Sequence, residues 1–272
     1  MGGNCASNDC CRQTDADRFD KPTGNLSEHR GHISKIDFKN LKVTNYEDGS
    51  SYQGEYMPHT NIRHGYGTQR WSDGSIYIGQ WLDDKASGYG KLTHAEGDTY
   101  EGQWINGAAS GKGIYMQTNG TKYEGEWLSD KQNGQGCETW ADGSKFIGTY
   151  REGIKQGIGK MWFADKSTYE GEFHNDDING YGLYSWPDGK VYEGQWLENR
   201  MHGHGNMKWA DGRQYVGQFL ADKKNGQGIY TWADGKVFEG LWKDDKQNGE
   251  GYFTDLSGNK VKGYWENGKK TL

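Results

Sequence analysis

The sequence has little of what stabilises or targets many small proteins. Only 3 of its 272 residues are proline and 4 are cysteine, and Cys5, Cys10 and Cys11 crowd near one end. Cysteines this few and this clustered predict neither a disulfide framework nor a zinc motif. The sequence has no run of about 18 apolar residues and no apolar core of a signal peptide, so it predicts no membrane span and no secretory route. The chain is expected to be cytoplasmic.

An excess of basic charge is also missing. Lys and Arg total 32 against 38 for Asp and Glu, which gives a formal net charge of -6. A chain with this balance has no overall positive field to attract nucleic acid. We therefore expect no nucleic-acid partner.

Aromatic residues and glycine are what the sequence has in abundance. The mean hydropathy of -1.08 and the 32% hydrophobic content would suit a disordered chain, but 14% of the residues are aromatic, with 12 Trp and 18 Tyr. Large rings bury roughly 150–250 Å² each, so they can replace an aliphatic core. The 44 glycines without a collagen period indicate many tight turns.

A motif of the form aromatic-x-Gly-x-aromatic recurs along the chain. Its first two copies lie at 52–56 and 77–81, and their central glycines are Gly54 and Gly79. From Gly79 to Gly263 the central glycine returns every 23 residues, whereas the step from Gly54 to Gly79 is two residues longer, with the extra residues expected around 57–63. A Gly-x-Gly pair separates successive motifs, nine times in all. The sequence is therefore built of ten similar units.

Each unit has the pattern of a β-hairpin. Two short runs of alternating apolar and polar residues flank an Asp-Gly pair such as Asp234-Gly235, where the turn needs a positive φ that glycine adopts freely. In one copy Lys166 follows Asp165, so we expect that turn to be strained or of another type. Together these patterns predict an all-β fold, an elongated single-layer antiparallel sheet of consecutive β-hairpins.

The alternation also predicts which face each residue occupies. In one unit Tyr192, Gly194 and Trp196 share a face, and Glu193 lies on the other. The bare glycine leaves room for a ring, which we expect to come from the neighbouring hairpin. Acids at fixed positions are expected to form a solubilising face, which would repel an anionic lipid surface. These acids are Glu124, Glu126, Glu170, Glu172 and Glu193.

The aromatic-Gly-aromatic motif, the Asp-Gly turn and the Gly-x-Gly pair together resemble the MORN repeat over about residues 42–272. The resemblance implies a single-layered antiparallel sheet, homodimers formed through sheet ends, and partner proteins held along an aromatic groove. The residues expected to form the repeat anchor and this groove are Tyr77, Gly79, Trp81, Tyr100, Gly102, Trp104, Tyr123, Gly125, Trp127, Tyr169, Gly171, Phe173, Tyr192, Gly194, Trp196, Tyr215, Gly217, Phe219, Phe238, Gly240 and Trp242.

No pattern in the sequence favours an enzyme or a cofactor. The segment 107–113 comes nearest to a phosphate-binding loop, but it is one residue short and has Gly113 where Ser or Thr would meet magnesium, so it is interpreted as a connection between hairpins. His202 and His204 lack further metal ligands and are expected in a surface turn. We expect no catalytic residues, no metal and no cofactor.

The N-terminus resembles a signal for N-myristoylation, with Gly2 exposed after removal of Met1. The pattern departs at Ala6, where Ser or Thr is usual. One myristoyl chain binds a membrane only marginally, so a second signal is needed. Palmitoylation of Cys5, Cys10 and Cys11 would supply it. The alternative is an unmodified tail with incidental cysteines.

The sequence thus divides into a flexible, acylated tail at 1–32, a capping segment at 33–41 and the repeat array at 42–272. The leading hypothesis is a non-enzymatic scaffold, held by its acyl chains on the cytoplasmic face of a membrane, that aligns cytoskeletal or membrane-associated proteins. One alternative is a structural part of a ciliary axoneme or basal body, which resembles the role of radial-spoke MORN proteins. Another is a phospholipid-binding module that uses the aromatic face.

Overall fold

The computed structural model describes residues 41–271, and all of its regular structure is β-strand. The tail at 1–32, with Gly2 and the three cysteines, and all but Leu41 of the expected capping segment lie outside the described residues. The strands are β1 (Val43–Asn45), β2 (Ser51–Tyr56), β3 (Arg63–Arg70), β4 (Ile76–Leu82), β5 (Lys85–Thr93), β6 (Thr99–Ile105), β7 (Ala108–Met116), β8 (Lys122–Leu128), β9 (Lys131–Thr139), β10 (Lys145–Arg151), β11 (Ile154–Trp162), β12 (Thr168–His174), β13 (Asp177–Ser185), β14 (Val191–Leu197), β15 (Arg200–Lys208), β16 (Gln214–Leu220), β17 (Lys223–Thr231), β18 (Val237–Lys243), β19 (Lys246–Thr254), β20 (Lys260–Glu266) and β21 (Lys269–Lys270). Between residues 41 and 271 no helix is long and apolar enough to cross a membrane.

The described chain forms two compact units. The first contains residues 41–141 and 147–153, and the second contains 142–146 and 154–271. In each unit a strand pairs antiparallel with the next strand in sequence, as β3 does with β4 and β13 with β14. The predicted all-β class and the antiparallel sheet of consecutive hairpins are confirmed.

The even-numbered strands from β2 to β18 carry the aromatic-Gly-aromatic motif, and β20 has Val261 in place of the first ring; these strands are called anchor strands here. The odd-numbered strands from β3 to β19 carry the Gly-x-Gly pair and are called return strands. The expected interpretation of 107–113 as a connection is wrong, because Gly107 closes a turn and Ala108–Met116 forms β7. His202 and His204 likewise lie in β15 rather than in a surface turn.

Two kinds of turn alternate along the chain. The Asp-Gly turns lead from a return strand into an anchor strand, and their glycines have positive φ, for example 96° at Gly74 and 91° at Gly212. The other turns are two residues long and have positive φ at both positions, as at Asp83 (51°) and Asp84 (66°), which is the type I′ geometry of tight hairpins. In the longer first unit of the repeat, the four residues 58–61 replace this pair, which places the two extra residues predicted there.

The turn at Lys166 keeps the ordinary geometry and is strained. The Lys166 N–H donates to the Phe163 carbonyl (3.0 Å), as Gly212 does to Trp209 (3.0 Å), so the turn type is the same. Lys166 has a φ of 74°, a left-handed conformation that costs a side chain roughly 1–2 kcal/mol.

Replacing Lys166 by glycine should therefore stabilise the second unit by about 1 kcal/mol, because the strain is relieved and no buried contact is lost. The reverse change, Gly212→Lys, should destabilise the same unit by a similar amount. Urea unfolding followed by tryptophan fluorescence measures both. A Lys166→Gly variant that is no more stable than the wild type would show that the turn is unstrained.

The core lies on the face that carries the anchor rings, called the ring face here. Along β14 burial alternates, so that Tyr192, Gly194 and Trp196 are buried while Glu193 and Gln195 are exposed. The predicted separation of the two faces is confirmed. Tyr52, Tyr169, Tyr192 and Tyr215 are fully buried, so these rings make the core without an aliphatic layer.

Candidate interaction surface

Each anchor tyrosine covers two glycines with its own ring. A Cβ added to Gly194 would lie 2.7 Å from the Tyr192 hydroxyl oxygen, and one added to Gly205 on the next strand would lie 2.4 Å from it. The Tyr192 hydroxyl donates to the Gln195 carbonyl (2.9 Å). The ring over Gly194, the glycine between the two aromatic residues, therefore belongs to the strand of Gly194 itself, so the expectation that it comes from the neighbouring hairpin is wrong.

The second anchor residue joins neighbouring repeats. The Trp196 ring meets Tyr192 of its own strand edge to face at 5.1 Å and Tyr169 of the preceding anchor strand at 5.7 Å. Its indole N–H donates to the Gly182 carbonyl (3.3 Å) on the strand between them. The same indole bond is made by Trp81, Trp104, Trp127 and Trp242. A T-shaped ring pair contributes about 0.5–1.5 kcal/mol beyond its burial, so each repeat stabilises the next.

A bulge in most of the return strands gives a side chain of the opposite face a structural role, with Thr149 and Leu241 at the equivalent position in two other repeats. Gly194 pairs with Gly205 and Trp196 with Met201, so two residue steps along β14 face four along β15. Gln195 Oε1 accepts the His204 N–H (2.7 Å) inside this bulge. Glutamate serves equally well at this position, and Glu172 accepts the N–H of Tyr181 (2.9 Å).

The expectation that the recurring acids only solubilise the sheet is therefore wrong for part of them. Glu126 accepts the N–H of Gln135 (3.2 Å) in a bulge like that of Glu172. Glu124 pairs with Lys122 (2.8 Å), and Glu170 pairs with Lys160 (3.3 Å). The sequence did contain a signal for this role, because the position after the central glycine is Glu or Gln in most repeats. Both side chains have the same length and carry an oxygen that can accept a hydrogen bond.

A clamp at the two-residue turns also ties repeats together. The Asp222 backbone N–H donates to the Met201 carbonyl (3.0 Å), and its carboxylate accepts the Met201 N–H (2.8 Å). Met201 is the second residue of return strand β15, whereas Asp222 lies in the turn that follows β16. Asp84, Asp130, Asp176, Asn199 and Asp245 make the same pair of bonds to the residue 21 positions earlier.

The aspartates of the other turns accept hydrogen bonds that lower their pKa. Ser167 donates its hydroxyl and its backbone N–H to Asp165, which lowers the pKa of that carboxyl. Hydrogen bonds from the residue two places on likewise lower the pKa of Asp48, Asp142, Asp211 and Asp234. A carboxyl whose pKa is lower in the folded state stabilises the fold above its unfolded pKa of about 3.9, and this stabilisation is lost as the pH falls towards the folded value.

We expect the urea midpoint to fall between about pH 5 and pH 3. Substituting Asn for Asp142, Asp165, Asp211 and Asp234 together should flatten this fall. Asparagine keeps the acceptor oxygen but does not titrate, and Asn119 already serves in this way by accepting the Thr121 N–H (2.8 Å). An equal fall in both proteins would assign the acid sensitivity to other carboxyls.

The anchor rings that were predicted to form a groove for partners are buried. Tyr77, Tyr100 and Tyr123 are 1–3% exposed, and Trp81, Trp104, Trp196 and Trp242 are 5–7% exposed. These rings make the contacts between neighbouring strands described above. Their use as a groove for partners stays a prediction.

A second row of rings on the same face is accessible. In the second unit Phe163, Trp186, Trp209 and Trp232 each lie two residues before the aspartate of a turn and are half-buried. Trp186 packs on Tyr184 at 4.4 Å between centroids, and Trp232 packs on Tyr230 at 4.9 Å. We call the set of Phe163, Tyr184, Trp186, Trp209, Tyr230 and Trp232 the outer aromatic row.

The chain's own cations already contact this row. Lys190 Nζ lies 4.0 Å from the centre of the Trp186 ring. Lys224 Nζ lies 5.6 to 5.9 Å from the rings of Trp209, Tyr215, Tyr230 and Trp242, and 3.3 Å from an oxygen of Asp245. The ring face therefore holds cation–π contacts between residues of the chain itself.

Within residues 41–271 no group of His, Cys, Asp and Glu could hold a metal ion.

The chain is similar in part to several solved structures. The TCP10 domain of Danio rerio CPAP in complex with a STIL peptide matches with a TM-score of 0.40 and 12% identity, over 85% of this chain and 99% of that chain. The SAS-4 (dCPAP) TCP domain of Drosophila melanogaster, in complex with a proline-rich motif of Ana2, gives 0.36 and 12%, over 66% and 90%. Virginiamycin B lyase from Staphylococcus aureus gives 0.16 and 11%, over 82% and 83%. At these scores the likenesses carry no argument about function.

A comparison with curated protein sequences gives no match. The family model for the MORN repeat matches nine segments, at 59–76, 77–99, 100–122, 123–145, 146–168, 169–191, 192–212, 215–237 and 238–260. These segments leave out the first anchor, around Gly54, and the last, around Gly263, which lie in β2 and β20. Because the matches span most of the sequence and coincide with the strands described above, the chain belongs to the MORN-repeat family.

Proposed function

We propose that the protein is a non-enzymatic scaffold that aligns partner proteins and is held at the cytoplasmic face of a membrane by N-terminal acylation. The observation that carries the scaffold role is the repeated tie between neighbouring units. Trp196 bridges two tyrosines, its indole bonds to Gly182, and the Asp222 clamp returns to Met201. These ties present the same surface positions again at each 23-residue step.

The outer aromatic row supports a role in protein binding. Half-buried tryptophan and tyrosine supply large contact area with little loss of side-chain entropy, and these residues are enriched at protein interfaces. Because the anchor rings are buried in the core, a partner on the ring face would contact Trp186, Trp209 and Trp232 instead.

The membrane tether rests on the sequence of the N-terminus. Gly2 would carry the myristoyl chain, and Cys5, Cys10 and Cys11 would carry the palmitoyl chains that make attachment stable. In this proposal the protein is a peripheral membrane protein beside the cytoskeleton. The acidic residues of the sheet favour acyl anchoring over direct binding to anionic lipid.

Metabolic labelling tests the tether. The full chain, Gly2→Ala, and a variant with serine at Cys5, Cys10 and Cys11 are expressed in cells with myristate and palmitate analogues. The wild type should take up both labels and fractionate with membranes, and Gly2→Ala should lose the myristate label and move to the soluble fraction. Absence of label, with the same fractionation in all three proteins, would refute the tether.

Detergent extraction separates this proposal from a role within an axoneme or basal body. An acyl-anchored scaffold should be released by mild detergent, and Gly2→Ala should not need it. Retention of the wild type and of Gly2→Ala alike in the detergent-insoluble cytoskeleton would instead support the structural role in a cilium. Either protein can be localised in the same cells by microscopy.

A further inference from the structure

The face opposite the rings carries a continuous row of side chains in the second unit. Directly paired residues place Leu183 beside Glu193, Glu193 beside Asn206, and Asn206 beside Val216. Val216 in turn pairs with Ile229, and Ile229 with Glu239. Paired residues of an antiparallel sheet share a face, so these six side chains cross β13 to β18. We call Leu183, Glu193, Asn206, Val216, Ile229 and Glu239 the acidic-apolar strip.

The strip contains a shallow concavity of about 520 Å³. Three glycines, Gly205, Gly217 and Gly228, help to line it, and each contributes only backbone. On the reverse side of these glycines the Tyr192 and Tyr215 rings lie where side chains would be, since a Cβ added to Gly228 would lie 2.4 and 2.5 Å from two Tyr215 carbon atoms. The rings of the core thus hold the glycine backbone of the concavity in place.

The apolar members of the strip are open to solvent. Leu183, Val216 and Ile229 are 41%, 45% and 42% exposed, and Val216 and Ile229 are paired neighbours between Asn206 and Glu239. Contact with an apolar partner would remove this surface from water, at roughly 25 cal/mol for each Å² buried.

Charge decides which kind of partner fits. Glu193 and Glu239 line the concavity, and none of the residues lining it is Lys or Arg. Glu193 has a hydrogen bond from the Tyr181 hydroxyl. Glu239 pairs with Lys260 Nζ at 2.7 Å, but both side chains are half exposed, and such surface pairs contribute at most about 1 kcal/mol and exchange readily. The strip therefore favours a cationic ligand and repels phosphate groups.

The equivalent row of the first unit lacks this combination. Lys91 stands where the second unit has Ile229, and Glu101 accepts the Tyr89 hydroxyl (2.9 Å). Glu124 is paired with Lys122 at 2.8 Å. Lys91 lies inside the row of the first unit, paired with Ile78 and Glu101. The strip of the second unit has no Lys or Arg among its six members, although Lys260 borders it at Glu239. The first unit therefore serves as an internal control.

We infer that the acidic-apolar strip binds an extended segment of a partner protein that carries two basic residues with apolar residues between them. Glu193 and Glu239 are four strand steps apart, or about 19 Å at 4.8 Å per strand. An extended peptide rises about 3.3 Å per residue, so its two cations should be about six residues apart. The intervening apolar side chains would lie on Val216 and Ile229. This inference rests on the scaffold function proposed above, but it does not depend on acylation.

Fluorescence anisotropy with the full, unacylated chain tests the inference. The probes are labelled peptides with two lysines separated by three, five or seven residues of Val, Leu and Pro, and a matched peptide with glutamate in place of both lysines. The five-residue spacer should bind best, the acidic peptide should not bind, and binding should weaken with added salt. Equal binding of all the peptides would overturn the inference.

Charge reversal at both ends of the strip provides the decisive variant. Glu193→Lys with Glu239→Lys should weaken binding of the best peptide by about tenfold or more, and Ile229→Asp should weaken it as well. The matched control, Glu124→Lys in the first unit, should change the affinity by less than about twofold. All these side chains are at the surface, and an unchanged melting temperature verifies the fold.

Three other results would overturn the proposal. Peptide affinity unaffected by the double reversal would place the binding site elsewhere. A change in oligomeric state by sedimentation, without a change in peptide binding, would show that a second copy occupies the strip. Capture by phosphatidylserine vesicles that is lost in the double reversal would show that the strip faces a membrane. None of these experiments bears on the acyl tether, so the two proposals fail separately.

Discussion

Replacing Gly228 by alanine should destabilise the second unit by about 3 kcal/mol or more. The added Cβ would lie 2.3 Å from the Tyr215 hydroxyl oxygen and 2.4 Å from a ring carbon. That ring is fully buried and its hydroxyl is bonded to the Gln218 carbonyl (3.0 Å), so it has no free space to move into. Urea unfolding followed by tryptophan fluorescence measures the change.

Two further variants separate a steric clash from other effects of alanine. Gly212→Ala sits at a turn with no atom within 4 Å of the new Cβ, so only its positive φ is penalised, at a cost of about 1 kcal/mol. Combining Gly228→Ala with Tyr215→Leu should cost less than the sum of the two single changes, because the smaller side chain vacates the space. Gly217→Ala should gain no such relief, since its Cβ also meets the Gly228 Cα at 2.5 Å and the Gln227 carbonyl at 2.6 Å. Additive costs for Gly228→Ala and Tyr215→Leu would contradict the proposed clash.

Replacing Tyr192 by alanine should cost about 3–5 kcal/mol, the usual range for removal of a large buried ring. Tyr192 is fully buried and meets both Trp196 and Phe219 edge to face at 5.1 Å. The damage should be local because each ring contacts only the neighbouring repeats. Hydrogen exchange should therefore accelerate in β13 to β16 and remain unchanged in β3 to β6 of the first unit.

Tyr192→Phe is the matched control for the ring. It keeps the ring and loses the hydroxyl bond to the Gln195 carbonyl (2.9 Å) and a longer one to the His202 carbonyl (3.5 Å), at a cost of about 1 kcal/mol. Phe146 and Phe238 already occupy the equivalent position and are fully buried, so the fold accepts phenylalanine there. A loss of stability as large for phenylalanine as for alanine would show that the hydroxyl, rather than the ring, holds the repeat.

The sequence was sufficient to predict the hairpins, their faces and the glycine turns. Those features depend on local periodicity, and the alternation at Tyr192, Gly194 and Trp196 states directly which side chains share a face. The expected position of the two additional residues in the first unit of the repeat also followed from spacing alone. The structure confirms each of these predictions.

The sequence did not reveal how the rings lean or how the strands are offset. Period 2 assigns Tyr192 to a face, but whether its ring covers Gly205 or reaches a more distant strand depends on the stagger of β14 against β15. The bulge that sets this stagger leaves no local mark other than Gly203, whose φ is 60°. The structural role of Gln195 and the tight turns formed by residues other than glycine were missed for the same reason.

The candidate site residues also divide into those that local periodicity predicts and those that depend on the register between strands. The anchor residues recur at the same strand positions and are largely buried, and their use by a partner stays a prediction. The acidic-apolar strip could not be predicted, because it joins residues from six strands that lie 10 to 13 positions apart from one strand to the next. Only the register between strands makes it one surface.

The turn clamp has a consequence for how the protein acquires its structure. Asp222 reaches back only to Met201, and Trp196 only to Gly182 and Tyr169, so these ties within the second unit close short loops of chain. Closing a short loop costs little entropy, and a sheet made of such closures lacks the distant pairings that slow most β-proteins. Folding can therefore nucleate at any hairpin and spread outward one repeat at a time, even while later repeats are still being synthesised.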